Sequence, residues 1–121
     1  MNRSILETAQ IHPAIREFVA RNNADVVAEV QKAISEHAVV VVGMAQNPFP
    51  KKARKALDAQ GTAYQYLEYG SYLSGWRRRN TLKMWSGWPT FPMIFVKGML
   101  IGGASDLNKL IESGELARML A

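Results

Sequence analysis

Four consecutive valines, Val39 to Val42, form the most apolar run of the chain, and the rest of the hydrophobic pattern is arranged around them. Four β-branched residues in a row suit a strand covered on both faces. Gly43 to Asn47 reads as a short loop. Pro48 and Pro50 then open a helix running to Gln60, because N–H groups of a first helical turn lack intrahelical partners and proline removes nothing there. Gly61 closes that helix in the left-handed conformation. Thr62 to Glu68 alternates as a second strand, and a helical crossover makes the two strands a parallel pair.

Upstream, Val26, Val27, Val30 and Ile34 recur at helical spacing, which predicts an amphipathic helix beginning at Ala24. Pro13 starts a shorter helix through Val19, broken by Asn22-Asn23, and residues 1–11 form an arm of weak periodicity. His37 follows the longer helix as a hydrogen-bonding end residue, and His12 has no evident partner. Downstream, Tyr72 to Met84 reads as a third helical segment and Ser86 to Pro92 as a loop. Met93–Lys97 and Met99–Ile101 read as a hairpin across Gly98. A helix from about Ser105 to Ser113 follows, capped by Ser105 or Ala104, and Glu115 to Leu120 adds a last amphipathic turn or two.

A loop at the carboxyl end of a parallel strand, feeding a helix N-terminus, is where open α/β sheets bind ligands. Composition narrows the chemistry available there. The 121 residues suit one domain, and 48% apolar content suits a packed core. There is no cysteine, which excludes disulfide exchange by a protein thiolate and cysteine-ligated zinc or iron–sulfur centres. Apolar runs are too short to span a bilayer and the amino terminus carries no signal-peptide core, so a cytoplasmic location and no membrane partner are expected. The net charge of +5 reads as a surface excess of lysine and arginine. Arg77-Arg78-Arg79 point in different directions around a helix, and no aromatic-basic RNA-binding motif is present, so a nucleic-acid partner is not expected.

Asn47-Pro48-Phe49-Pro50 resembles the active-site loop of the glutaredoxins, standing where that family carries Cys-Pro-Tyr-Cys or, in monothiol members, Cys-Gly-Phe-Ser. Trp88-Pro89-Thr90-Phe91-Pro92, then Gly102-Gly103-Ala104-Ser105-Asp106 and Ser113-Gly114-Glu115-Leu116, look like the carboxyl-terminal pattern of monothiol glutaredoxins. The likeness covers residues 24–121 and leaves 1–23 as an amino-terminal arm or short helix. It implies an α/β thioredoxin-like (glutaredoxin) fold: a four-stranded mixed sheet with helices on both faces, plus an N-terminal helical extension.

The resemblance also implies a groove. In the family the proline matching Pro92 is cis, and the backbone of the residue before it, here Phe91, pairs with glutathione like an added strand. Gly103, Ser105 and Asp106 match the end that receives the γ-glutamyl carboxylate. Arg79 matches an arginine facing the glycine carboxylate, and Phe49 and Thr90 complete the ligand-contacting set. The departures lie at the chemical positions. Asn47 and Pro50 replace both cysteine positions, Met44 replaces a carboxylate-binding lysine, and Ser105 replaces an aspartate. An amide is neither nucleophile nor general acid, so no residue is assigned as catalytic.

The expected function is therefore a redox-inactive homologue with a binding or regulatory role, holding glutathione or an extended peptide or protein partner. The alternative is a glutathione-dependent oxidoreductase or transferase without a protein thiol. No iron–sulfur cluster is expected. Of Trp76, Trp85 and Trp88, at least two read first as core residues, with a homodimer through exposed aromatics as the other use.

Overall fold

The computed structural model describes residues 2–121. After a short 3₁₀ turn at Thr8–Gln10, the elements are α1 (Pro13–Arg21), α2 (Ala24–Glu36), β1 (Val39–Gly43), α3 (Pro48–Ala59), β2 (Gln65–Glu68) and α4 (Trp76–Ser86). They continue with β3 (Met93–Val96), β4 (Met99–Gly102), α5 (Ala104–Glu112) and α6 (Glu115–Leu120). The strands form one sheet in the order β2-β1-β3-β4. β1 runs parallel to β2, pairing Val41 with Tyr66, and antiparallel to β3, pairing Val41 with Ile94.

The valine run shows why both faces had to be covered. Successive strand side chains point to opposite faces. Val40 and Val42 join Met93 and Phe95 on one face, under α2 and α4 through Val26, Val30 and Leu82. Val39 and Val41 join Ile94 and Val96 on the other face, under α3 and α5 through Ala53, Leu57 and Leu107. The result is a three-layer sandwich with two separate cores, one on each side of the sheet. Fully burying each such aliphatic side chain contributes roughly 1.5–3 kcal/mol. α1 contributes no buried residue to either core. Among the described residues no helix is long and apolar enough to cross a membrane.

Several local expectations need correction. α4 begins at Trp76, not Tyr72, because Gly70 and Gly75 adopt left-handed φ values of 67° and 74° and residues 71–74 close a tight turn. Ser71 N–H donates to the Ser74 carbonyl and Ser74 N–H to that of Ser71. β2 begins at Gln65, three residues later than the alternation suggested, and β3 ends at Val96. Lys97 and Gly98, with φ of 51° and 80°, make the hairpin turn, two left-handed residues whose turn matches the right-handed twist of the flanking strands. α5 has Gly103 as its N-cap, neither Ser105 nor Ala104, and the Asp106 side chain reaches back to accept from the Gly103 N–H. His12 does have a partner: it caps α1, its Nδ1 accepting from Ala14 N–H at 3.0 Å.

Candidate functional site

β1 delivers the chain to the site through a close approach. A Cβ built on Gly43 would stand 2.8 Å from Cβ of Pro50 and 3.0 Å from the Tyr66 ring, so only glycine lets α3 fold back this tightly on the sheet. Gln46 then takes a left-handed φ of 68° and turns the chain into α3. Asn47 is the N-cap, with φ −92° and ψ 125°. Its Oδ1 accepts from Phe49 N–H at 2.9 Å, meeting one of the orphan donors of the first turn. That hold aims the other end of the amide, and Nδ2 donates to the Phe91 carbonyl at 3.3 Å. The residue at the position of interest therefore ties the start of α3 to the loop before β3. The Phe91–Pro92 peptide bond in that loop is cis.

A groove of about 250 Å³ runs along this junction, lined by Phe49, Thr90, Phe91, Pro92, Gly103, Ser105 and Asp106 together with Trp88 and Ala104. Every expected ligand-contacting residue except Arg79 is on that lining. Phe49 forms an exposed lip, 51% accessible, and Phe91 is buried beneath it. At the far end Asp106 Oδ2 accepts from Gly103 N–H at 2.9 Å. A Cβ on Gly102, whose φ is 110°, would lie 2.4 Å from that same oxygen, so the glycine is a steric requirement of the cap.

Arg79 is elsewhere. It is 7% exposed, and its Nη1 donates to the carbonyls of Tyr69 at 2.9 Å and Ser74 at 2.5 Å. The tight turn at 71–74 brings those carbonyls onto the guanidinium. The cation the sequence reading passed over is Lys83. It lines a second hollow of about 300 Å³ that shares Phe49, Thr90 and Phe91 with the groove and includes Met44, Asn47 and Tyr72. Its Nζ lies 5.8 Å from the centroid of the Phe91 ring. The signal was in the spacing, since Lys83 follows Arg79 by four residues on one helix and so shares its face.

A third hollow, about 590 Å³, opens on the other side of Asn47 between α3 and the edge strand β2. It carries Lys51, Arg54 and Lys55 against Asp58, Tyr66 and Glu68. The Arg54 guanidinium stacks on the Tyr66 ring at 4.1 Å, and Tyr66 donates to Glu68 at 3.0 Å. Burial, reinforced by the Glu68 carboxylate, pushes the Tyr66 phenol up to about 12. Burial likewise raises the Tyr69 phenol, with the Glu29 carboxylate it hydrogen-bonds adding to the effect. Among the described residues no group of three or more His, Asp or Glu side chains is placed to hold a metal ion.

A parallel β1–β2 pair, an antiparallel β3–β4 hairpin and a helix N-terminus facing the loop at a cis-proline define a thioredoxin-like protein. Comparison with known proteins makes the family specific. A profile of the glutaredoxin family matches residues 39–101, and the chain belongs to that family. It is 47% identical over 102 residues to a glutaredoxin-like protein of Dictyostelium discoideum, covering 84% of this chain and 83% of that one. It is 42% identical over 72 residues to the bifunctional monothiol glutaredoxin-S16 of Arabidopsis thaliana, covering 60% of this chain and 25% of that longer protein. Among solved structures, the buckwheat glutaredoxin–glutathione complex shares the fold with a TM-score of 0.73 at 24% identity, covering 83% of this chain and 91% of that chain.

Proposed function

We propose that this glutaredoxin homologue is a binding protein without redox chemistry of its own, taking glutathione or an extended peptide along the Phe91–Pro92 edge. The observation that carries the reading is the state of Asn47. Both ends of its amide are engaged within the protein, to Phe49 N–H and to the Phe91 carbonyl, beside a groove lined by the other family-type contact residues. A carbonyl has two lone pairs, so Phe91 keeps one acceptor site for an incoming chain. Ser105 and the first-turn N–H groups of α5 suit one carboxylate of such a ligand, and Lys83 in the adjoining hollow suits another. Nδ2 keeps a second N–H that can donate to a bound thiol, but an amide takes up no proton, so the transferase alternative lacks a base at this position. A cytoplasmic location belongs to the same proposal.

The test is calorimetric titration with reduced glutathione and with S-methylglutathione, which cannot exchange disulfides. Both should bind with similar affinity, and the protein should show no turnover of glutathione mixed disulfides. Absence of binding by either ligand, or turnover by the cysteine-free chain, would overturn the reading.

A further inference from the structure

One group of exposed apolar side chains stands where the α1–α2 corner meets α4. On α1, Ile15, Phe18 and Val19 stand at i, i+3 and i+4 with 51%, 70% and 50% of their surfaces exposed, and the helix buries no residue at all. On α4, Trp76 and Met84 are 56% and 64% exposed. Phe18, Trp76 and Met84 are walls of one hollow of about 290 Å³, with the side chains of Asn22 and Asn80 beside them. An amphipathic helix whose apolar stripe faces outward is unusual, since that stripe ordinarily packs on a core.

Two contacts join the α1–α2 corner to α4 beside the hollow. Asn23 Nδ2 donates to Thr81 Oγ1 at 3.4 Å, and Arg78 pairs with Asp25 at 3.4 Å, fastening the corner to α4. Its charge is one-sided. Arg77 lies on its lining with the guanidinium 5.2 Å from the Trp76 ring centroid, and no Asp or Glu lines it. Arg77 makes no ion pair among the described residues.

We infer that this hollow is a docking site for an acidic amphipathic helix of another protein. Its walls come from two helices and include no sheet edge, which suits the ridge of a third helix better than an extended strand. Carboxylates bordering the incoming apolar stripe would meet Arg77. A second copy of this chain is the poorer occupant, because each chain carries a net charge of +5 and α1 would bring Arg16 toward Arg77 while its one carboxylate, Glu17, is paired with Arg21.

The probes are two synthetic helices of about five turns, sharing one leucine face and differing only in having glutamate or lysine at every other position. Each is titrated into the isotope-labelled full chain and followed by amide chemical shifts. The acidic helix should shift residues of the α1–α2 corner and α4, and bind at least about tenfold more tightly than the basic one. Phe18→Ser and Arg77→Glu, both at exposed positions, should each cut its affinity about tenfold without changing the melting temperature, and Arg77→Glu should narrow the preference over the basic helix. Equal affinity for the two helices, shifts confined to the Phe49–Phe91 groove, or no binding would each overturn the inference. So would a dimer in sedimentation equilibrium that Phe18→Ser dissolves, which would give the surface to a second copy.

Discussion

At the scale of single residues, Asn47 joins structure and function most directly. As N-cap it meets the Phe49 donor, and replacing such a cap by alanine costs about 1 kcal/mol. Asn47→Ala should therefore lower stability by that amount in urea unfolding. Asn47→Asp keeps the acceptor and adds negative charge at a helix N-terminus, so its loss should be smaller. Tyr66 sets a second test. Its phenol holds its proton up to about 12 in the folded chain, against about 10 when unfolded. Between those values the native state binds more protons than the unfolded one, so stability falls as pH rises through that window. Tyr66→Phe should flatten this part of the denaturant-midpoint profile, and absorbance of the phenolate will show where Tyr66 titrates.

At the scale of elements, α4 carries a buried cation bonded to carbonyls, Arg79, and one turn on a cation that lines a hollow, Lys83. Arg79→Gln should destabilise by about 1–3 kcal/mol, because it weakens buried bonds to the Tyr69 and Ser74 carbonyls. Lys83→Gln should leave stability nearly unchanged and weaken binding of a glycine-end carboxylate, read by comparing glutathione with its glycine ethyl ester. The start of α5 gives a companion test. Gly102→Ala at φ 110° drives a methyl into Asp106, so it should cost about 1–3 kcal/mol and loosen the groove end that Asp106 caps. Elements with a strong period were legible beforehand: the valine run, the α2 stripe and the Pro-Phe-Pro helix start. The beginning of α4 was not, because Tyr72-Leu73 carry helix-compatible side chains and the decisive feature is the left-handed backbone at Gly70 and Gly75. Thr62 to Tyr64 likewise alternate convincingly yet lie outside β2.

At the scale of the whole molecule, the sheet divides the interior into two cores that share no side chains. Val30→Ala on one side and Leu57→Val on the other should each cost about 1–3 kcal/mol. The double variant should lose their sum to within about 0.5 kcal/mol, since the two sites have no common partners. A clear departure in urea unfolding would mean that the layers are coupled through the strands.

The sequence by itself determined the family-type scaffold and the chemistry that is missing from it. Local periodicity encodes which face of each element is apolar, and the absence of cysteine is a property of composition that no folding can alter. It also named most of the groove, because Trp88 to Pro92 and Gly102 to Asp106 are short contiguous stretches. Only the tertiary structure decided what Arg79 and Lys83 face, because a helical arginine's partners depend on where distant turns place their carbonyls. It alone brought Asn47 to Phe91, 44 residues apart in the chain. It alone left the apolar stripe of α1 outward, since whether such a stripe finds a core depends on the packing of the layers already in place.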